Sequence, residues 1–492
     1  MGRTGACAAG IVPDLSVNGR QTRRMPGLFL SCLAVMAASL VGCSLGALPA
    51  SLDWPVFGWD VGHSSAPPRG GLAENAIATL RLQQVSLDGT VDGTAIYLHG
   101  VSIGGAVHDA LFVTTTYGKT IAVDADSGIV LWEYTPPSYD ALKGTYRITN
   151  ATPVADDDRQ FIYAASPDGV VRKLTVSAGA VVWSTAITRL PEREKIASPL
   201  SFFHGKVIAA TNGYIGDAPP YQGHVAILDA ASGSLLHVWN SLCSDRPGLI
   251  DPASCAQSDS GIWGRAGVVI DSSSGSLYVA TGNALWDGSL YWGDSVIELN
   301  GDATQVLGNY TPANTSQLDA EDLDLGSTSP VLLGGGLLAQ GGKDGIVRIL
   351  DWSRMKGSSP HLGGEASQVP TPGGDLLFTA PAVAHTGGQT WLYVADNSGT
   401  AAWRLVGTSL QLQWQASRPG TSPVVTDGLL VVYDPGGHLV VYRAATGTVV
   451  ADLTCGTGHW NSPIVADGRI VLPEGNANEH LTSGTLDIWR MP

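Results

Sequence analysis

The stretch IAVDADSGIVLW, residues 121–132, decides how this chain folds, because versions of it recur along most of the sequence. VAILDAASGSLLHVW at 225–239 is a close copy, and KLTVSAGAVVW at 173–183 and VVYRAATGTVV at 440–450 are weaker ones. Each copy predicts two strands joined by a tight turn, in which a polar residue caps the turn and a Gly takes a positive φ. The Trp that closes the stronger copies is expected to pack between neighbouring sheets.

Eight such units can be counted, and most begin about 35 to 55 residues apart, the spacing of four-stranded propeller blades. They begin near Ala95, Ile148, Ile196, Ile262, Leu323, Leu377, Gly420 and Gly458. The last unit shows three strands, and ATLRLQQVSL at 78–87 is expected to add the fourth and close the ring. The sequence therefore predicts an all-β fold, an eight-bladed β-propeller of four-stranded blades. An array of β-sandwiches is the less favoured alternative.

Composition and charge narrow the class of partner. Charged residues make up 14% of the chain and hydrophobic ones 44%, with 62 Gly and 28 Pro, a composition that favours short strands and a large core. The net charge is -16, and residues 43–492 alone carry 23 basic against 42 acidic side chains. Such a surface repels nucleic acid and anionic lipid, so no nucleic-acid partner is expected.

The N-terminal region is typical of an exported lipoprotein. Arg20, Arg23 and Arg24 precede an apolar run over 28–41, which ends in Leu-Val-Gly-Cys at Cys43. We expect cleavage before Cys43, its lipidation, and attachment to the bacterial envelope on the periplasmic or extracytoplasmic side, with membrane contact through the lipid only. An ordinary secretory signal is the alternative, and Met25 is a second candidate start. The predicted domains are a signal peptide (1–42), a tether (43–77) and a propeller (78–492).

Export permits disulfides. Cys243 and Cys255 bracket the polar segment SDRPGLIDPAS, and we expect them to be bonded to each other, leaving Cys455 as a thiol. No CxxCH motif occurs, which excludes a covalently attached c-type haem.

The repeats resemble those of the pyrroloquinoline quinone (PQQ) dehydrogenases and their propeller relatives. The opening DWPVFGWD, residues 53–60, is similar to the W-P-x-x-G-x-D motif of that superfamily, and the resemblance covers residues 53–492. It implies a quinoprotein alcohol dehydrogenase-like propeller. Assembly propellers of the BamB type share the repeat without using a quinone, so the repeat by itself leaves the function open.

Four residues carry the resemblance to the dehydrogenases further. SGIWGRAGVVIDSSSGSLYVATGN (260–283) resembles the stretch in which a Trp lies under the quinone and an Asn binds calcium, which implies these roles for Trp263 and Asn283. EDLDLGS (321–327) resembles the segment with the catalytic Asp, matched by Asp324. QGGKDGIVRILD (340–351) resembles the segment whose basic residue contacts the quinone, matched by Lys343.

The chemistry of these side chains suits that site. A planar, polyanionic quinone needs an aromatic surface, and a hard cation such as Ca²⁺ needs oxygen ligands, here Asn283, Asp324 and Asp217. Asp324 would also take a substrate proton, and Lys343 would stabilise charge on the quinone oxygen. The sequence departs from the dehydrogenases in lacking a Cys-Cys pair, and their calcium-binding Glu aligns near Asp217 or Ala218.

Each of these residues also has a purely structural interpretation. Trp263 fits packing between blades, Asn283 fits a turn, Asp324 fits a solvated acidic loop, and Lys343 fits a hairpin tip. Two functions therefore stay open. One is a PQQ- and calcium-dependent dehydrogenase of a small alcohol or sugar, with an external electron acceptor; the other is a non-catalytic envelope propeller that binds proteins or polysaccharide.

Overall fold

Thirty-two strands build eight four-stranded antiparallel sheets in the computed structural model, which describes residues 52–491. The predicted signal peptide and Cys43 lie outside the described residues. The first strand in the chain is β1 (Arg81–Leu87). The next sixteen form blades 1 to 4: β2 (Ile96–Ile103), β3 (Ala106–Thr114), β4 (Thr120–Asp124), β5 (Val130–Tyr134); β6 (Val154–Ala155), β7 (Phe161–Ser166), β8 (Val170–Thr175), β9 (Val181–Ala186); β10 (Ser201–Phe203), β11 (Lys206–Ala210), β12 (His224–Asp229), β13 (Leu235–Asn240); β14 (Val269–Ile270), β15 (Leu277–Ala280), β16 (Val296–Leu299), β17 (Val306–Tyr310).

Blades 5 to 8 follow in the same order, and β1 completes the last of them. Their strands are β18 (Val331–Gly334), β19 (Leu337–Gln340), β20 (Ile346–Asp351), β21 (Ser367–Pro370); β22 (Ala382–Thr386), β23 (Gln389–Ala395), β24 (Thr400–Val406), β25 (Ser409–Ala416); β26 (Val424–Thr426), β27 (Leu429–Asp434), β28 (His438–Arg443), β29 (Val449–Thr454); β30 (Ile464–Ala466), β31 (Arg469–Glu474), β32 (Gly484–Arg490). The predicted eight-bladed β-propeller is confirmed.

Helices are few and short in the described part of the chain. Two are α-helical, α1 (Tyr139–Leu142) and α2 (Thr315–Glu321). The 3₁₀ turns are Glu74–Thr79, Pro252–Ser254, Leu325–Ser327, Trp352–Arg354 and Ala477–Glu479. None of the helices described is long and apolar enough to cross a membrane.

The ring closes as the sequence predicts. β1 pairs antiparallel with β32, in a register that runs from Arg81 opposite Arg490 to Leu87 opposite Gly484. An N-terminal strand thus becomes the outermost strand of the C-terminal blade. This pairing removes the two edges that an open array of blades would expose.

Tryptophans at the blade junctions explain the repeated sequence. Trp132 of blade 1 donates its Nε1–H to the Val176 carbonyl of blade 2 (2.8 Å), and its ring lies where a Cβ on Gly179 would stand. Trp414 of blade 6 makes the same contacts with Ala444 and Gly447 of blade 7. The turn Gly therefore does two things: it adopts a positive φ and it leaves room for the neighbouring Trp.

The segment 53–72 forms a strap across one end of the ring. Its carbonyl groups accept hydrogen bonds from the second residue of the first strand of four blades, at Ala155, Ile270, Val383 and Val425. The buried His63 at its centre contacts the Val268 carbonyl (3.2 Å). The first strands of neighbouring blades also touch each other, so they surround the axis, and the strap covers the end at which they finish.

Candidate functional site

A cavity of about 370 Å³ lies at the opposite end of the first strands from the strap. Its walls come from blades 2, 3, 4, 5, 6 and 8, mainly from residues that directly precede a first strand. They are Asn150, Lys195, Ala197, Ile215, Gly216, Asp217, Trp263, Arg265, Asp322, Asp324, Ser327, Lys343, Phe378, Trp460 and Asn478. Of the residues proposed from sequence for the quinone and cation, the cavity brings together Trp263, Asp217, Asp324 and Lys343.

A regular sequence position supplies part of this wall. Asn150, Ser327, Phe378 and Trp460 each stand three residues before the Pro that precedes a first strand. Equivalent positions of a propeller repeat converge on its axis, so four residues far apart in sequence meet in one cavity. The side chains differ in type because each blade contributes a different contact, while the backbone position stays the same.

Trp263 presents an aromatic ring to the cavity. Its only described ring neighbour is Tyr221, which it meets edge to face with centroids 6.0 Å apart and planes at 76°. Gly261 lies against the indole, since a Cβ there would stand 2.8 Å from Nε1. The faces of the ring are thus not stacked on another aromatic side chain of residues 52–491, an arrangement suited to a planar ligand.

Asp324 is the buried acid of the site. It is 6% exposed, and its Oδ1 accepts a hydrogen bond from the backbone N–H of Asn283 (2.7 Å). Its Oδ2 lies 2.5 Å from Lys343 Nζ, which also donates to Asp322 Oδ1 (2.9 Å). Burial raises the pKa of Asp324, in spite of the Lys343 ammonium, which lowers it.

Gly282 fixes the place of this carboxylate. A Cβ at Gly282 would stand 2.2 Å from Asp324 Oδ1 and 3.0 Å from the ring of Trp263. The TGN turn, which ends at Asn283, therefore lets the acid and the indole lie side by side over bare backbone. This is the physical reason for a Gly in that motif.

Asn283 offers an oxygen that no hydrogen bond uses. Its Nδ2 donates to Asp322 Oδ1 (2.8 Å), whereas its buried Oδ1 has no hydrogen-bond partner among the described residues. An orphaned amide oxygen next to a buried carboxylate is costly unless a ligand supplies a positive charge or a donor. The pair Asn283 and Asp324 has the donor chemistry that a hard cation prefers.

Asp217 lies at the mouth of the cavity in a left-handed backbone conformation, with φ at 47°. Its Oδ1 accepts a hydrogen bond from the Tyr221 hydroxyl (3.0 Å). Loss of hydration and the carboxylates of Asp324 and Asp322 raise its pKa, against the lowering effect of the Tyr221 hydrogen bond. The charge of the buried Asp324 carboxylate therefore acts on Asp217. Ala218, the other sequence match for the dehydrogenase Glu, is exposed and has no role in the wall.

The carboxylates of Asp217, Asp322 and Asp324 do not form a closed chelate. Among residues 52–491, the one trio of His, Cys, Asp or Glu with ligand atoms mutually within 4.8 Å is His99, Asp109 and Asp467. The two carboxylates of that trio pair with the Arg469 guanidinium, at 3.3 Å from Asp109 and 2.9 Å from Asp467, which offsets part of their charge. In the cavity, a cation would bind first to the Asn283 and Asp324 oxygens, in competition with the Lys343 ammonium.

A second charged group occupies the same cavity and was not found from the sequence. Lys195 and Arg265, 7% and 5% exposed, line the wall together with Trp460. The fully enclosed Asp92 is the acidic group that acts on both of these cations. Lys195 stands four residues before the Pro of its blade and Arg265 two residues after Trp263, so the position rule of the repeat was the available signal.

The disulfide and the remaining thiol lie away from this cluster. Cys243 and Cys255 are bonded, and they tie the end of β13 to the loop that leads to blade 4. Cys455 is a half-buried free thiol.

Comparison with known proteins places this architecture in a family. The sequence profile of the family described as outer membrane protein assembly factor BamB matches residues 89–247 and 387–485, just over half of the 492 residues. The chain belongs to the BamB-type family of PQQ-like propellers. The match leaves out residues 248–386, the stretch of this BamB-type chain that holds Trp263, Asn283, Asp324 and Lys343.

Individual relatives of this BamB-type propeller are named as dehydrogenases. A polyvinylalcohol dehydrogenase of Pseudomonas sp is 23% identical over 80% of this chain, which spans 66% of that protein. Among solved structures, quinohemoprotein alcohol dehydrogenase ADHIIG of Pseudomonas putida HK5 superposes with a TM-score of 0.67 at 14% identity, covering 89% of this chain and 80% of that one. A europium-containing methanol dehydrogenase gives 0.64 at 15%, covering 89% and 98%. The structural similarity confirms the fold.

Proposed function

We propose that this BamB-type chain is an oxidoreductase that binds PQQ and a divalent cation, such as Ca²⁺, in the axial cavity and oxidises the hydroxyl group of an alcohol or sugar. One observation carries the proposal. An indole, a buried carboxylate and a lysine, all from blades 4 and 5, line one cavity, and the orphaned amide oxygen belongs to Asn283, whose backbone N–H donates to that carboxylate. The names of its relatives as polyvinylalcohol and alcohol dehydrogenases support the same class of substrate.

The residues present fit such a cofactor in their chemistry. Trp263 would support the ring system, and Asn283 Oδ1 with the Asp324 carboxylate would hold the cation, with Asp217 as an additional oxygen at the mouth. When bound, PQQ accepts the two electrons that an alcohol loses on oxidation. Every further task falls to side chains of the chain itself.

Asp324 would take the proton of the substrate hydroxyl. Its raised pKa makes it a stronger base than a free Asp carboxylate, and the N–H of Asn283 fixes its orientation. The Lys343 ammonium pairs with the Asp324 carboxylate, and it would also stabilise negative charge that develops on the quinone oxygen. The side chains of Lys343 and Asp324 are 19% and 9% exposed, and this partial loss of hydration strengthens these interactions.

The N-terminal segments before the propeller point to a location at the cell envelope. The lipoprotein-like signal at 1–42, with lipidation at Cys43, would tether residues 43–77 and the propeller to an envelope membrane. The family description as an outer membrane assembly factor supports the envelope. An exported chain without a CxxCH motif would pass electrons to a separate acceptor.

A second candidate function has its own observation. Because the family match covers blades 1 to 3 and 6 to 8 but not the stretch with the candidate site, the matched part is compatible with a scaffold that binds envelope proteins or polysaccharide. The two functions differ in whether the axial cavity is loaded with a quinone.

Dye-linked oxidation of alcohols and sugars by the purified mature domain, after incubation with PQQ and Ca²⁺, tests the proposal. Wild type should reduce the dye, and Asp324→Asn should lose at least about a hundredfold in rate, the usual effect of removing a general base. Asp302→Asn, at a surface ion pair with Lys206, is the control and should keep the rate. Absence of substrate-dependent dye reduction across the panel would favour the scaffold function.

A further inference from the structure

The cavity has two separately charged sides. The charges that act on Asp217 are those of Asp324, Asp322 and Lys343. Those that act on Lys195 are Asp92 and Arg265. The first group is rich in carboxylates and suits a cation. The second group contributes two cationic side chains, Lys195 and Arg265, which line the cavity and are almost fully buried.

The ammonium of Lys195 lacks a partner. It is 7% exposed and lines the cavity, and no hydrogen bond or ion pair to Nζ occurs within residues 52–491. Burial of an unpaired charge is unfavourable, and it lowers the pKa of Lys195 to about 7. A folded chain keeps such a group where a ligand compensates it.

Arg265 is held in place on one side only. Its Nη2 donates to the Asp92 carbonyl (2.7 Å), and its guanidinium lies over the ring of Trp460 at 5.4 Å. The Asp92 carboxylate lies 3.8 Å from Nη2, too far for a hydrogen bond. The Nε and Nη1 donors of Arg265 have no partner in the described part of the chain, so they are available to an anion.

Asp92 does not neutralise both cations, because its oxygens are already in use. His459 Nδ1 and Asn150 Nδ2 each lie 2.9 Å from Oδ2. The backbone N–H groups of Ala477 and Trp460 donate to the same carboxylate. This wall therefore carries an excess positive charge in a place where water is scarce.

An aromatic surface lies next to these cations. Phe378 and Trp460 stack with centroids 5.5 Å apart and planes at 29°, and both line the cavity. Buried cations beside stacked rings match a ligand that is both aromatic and anionic. Arg and Lys in such a setting bind carboxylates through charge-assisted hydrogen bonds.

We infer that Lys195 and Arg265 form a carboxylate-binding subsite in the wall of the axial cavity, apart from the cation-binding oxygens of Asn283 and Asp324. The inference deepens the proposed function and rests on it, since the carboxylate would be one of those that PQQ carries. Lys195 and Arg265 of blades 3 and 4 would hold the carboxylate, and Asn283 and Asp324 would hold the cation.

The test uses a quinoline dicarboxylate, which is aromatic and anionic but neither a quinone nor an oxidant, added to the mature domain in EDTA. Tryptophan quenching and calorimetry should show saturable binding to wild type. Lys195→Gln and Arg265→Gln should each weaken it by about tenfold or more, because each removes a charge-assisted hydrogen bond. Lys195→Arg should retain it.

Lys173→Gln is the matched control, since Lys173 is also 7% exposed but bonds to the Ala230 carbonyl outside the cavity. It should leave binding unchanged. The inference of a carboxylate subsite would be overturned if wild type did not bind the dicarboxylate, or if the Lys195 and Arg265 variants bound it as tightly as wild type. Loss of binding in those variants, together with no PQQ-dependent oxidation, would keep the subsite and reject the proposed function. PQQ-dependent oxidation by wild type, together with undiminished dicarboxylate affinity in both variants, would keep the proposed function and reject the subsite.

Discussion

At the scale of single residues, the Asp324 carboxylate is positioned by contacts from three sides. The Asn283 N–H holds one oxygen, Lys343 holds the other, and bare backbone at Gly282 leaves the space that the carboxylate fills. Few alternative positions remain for a side chain that is 6% exposed. Small changes in this shell are therefore expected to act on function before they act on stability.

Gly282→Ala should displace the Asp324 carboxylate, because the new Cβ would lie 2.2 Å from its Oδ1. We expect a loss of about a hundredfold or more in PQQ-dependent oxidation with a melting temperature close to that of wild type. Gly62→Ala is the control, since its Cβ would meet no atom closer than 3.5 Å. Retained activity in Gly282→Ala would show that the carboxylate does not need this position.

Lys195→Met should stabilise the protein while it weakens binding of the dicarboxylate by about tenfold or more. The group has a folded pKa of about 7 against 10.5 in the unfolded chain, so between these values the unfolded state holds more protons and the wild type gains stability as pH rises. The gain from Met is therefore largest at pH 7 and below, about 1–4 kcal/mol, and it shrinks towards pH 10.5.

Denaturant unfolding at several pH values measures this difference. Asp92 and Arg265 are the charged groups that face the lysine, and both are unchanged in the variant. A Lys195→Met protein that is less stable than wild type at pH 6 would contradict the interpretation of Lys195 as an uncompensated charge.

Part of the site was predictable residue by residue, and part was not. Trp263, Asp324 and Lys343 stand in motifs with a recognisable order, and the structure brings them into one cavity with Asp217. Lys195 and Phe378 stand outside those motifs, and Arg265 stands within the motif at 260–283 but was given no role there. Their meeting depends on the curvature of the ring, which a local sequence pattern does not report.

At the scale of elements, the contact between a Trp and the turn Gly of the next blade is the repeating unit of stability. In blades 6 and 7, a Cβ on Gly447 would lie 2.6 Å from the ring of Trp414, and the φ of Gly447 is 69°. Because this contact places a Trp of one blade against the turn Gly of the next, it leaves a recurring trace of Gly and Trp in the sequence. That trace is why the blades could be predicted one by one.

Gly447→Ala should lower the free energy of unfolding by about 2–5 kcal/mol, from strain at a positive φ and from displacement of the Trp414 ring. Gly428→Ala separates the two effects. Its φ is 78°, but nothing lies within 4 Å of a Cβ there, so only strain of about 1–2 kcal/mol is expected. Equal losses in the two variants, measured by denaturant unfolding, would show that the Trp contact contributes nothing.

The loops between elements followed less clearly from the sequence. The helix α2, Thr315–Glu321, precedes the acid of the site and was not predicted from the sequence. A single helical turn or two gives too short a periodicity to separate from a loop. Its end in a left-handed Asp322 directs the chain so that Asp322 and Asp324 both reach Lys343.

At the scale of the whole molecule, two N-terminal segments hold the ring together. β1 closes the last blade, and the strap at 53–72 bonds to the first strands of blades 2, 4, 6 and 7. The closure was predicted because the last blade lacked a strand. The strap was not, because irregular backbone that crosses several blades has no periodic pattern.

His63→Ala should loosen the strap. The ring is 1% exposed and contacts the carbonyls of Phe57 and Val268, so its removal leaves a cavity and an unpaired Phe57 carbonyl at a cost of about 2–4 kcal/mol. Hydrogen exchange should accelerate at Ile270 and Val383, whose amides bond to strap carbonyls. The exposed His385→Ala is the control. Unchanged exchange at those two amides would mean that His63 does not hold the strap.

The central claim is that the open end of the ring holds PQQ beside a cation, and calorimetric titration of the mature domain with PQQ tests it most directly. With Ca²⁺ present, we expect saturable binding of one PQQ per chain. Removal of Ca²⁺ by chelation should weaken binding about tenfold or more, because the cation would attract the anionic PQQ. Asp324→Asn should have a similar effect, because it removes a carboxylate that would hold the cation. Asp302→Asn should bind like wild type. No binding to wild type, or binding unaffected by both Ca²⁺ and Asp324→Asn, would contradict the claim.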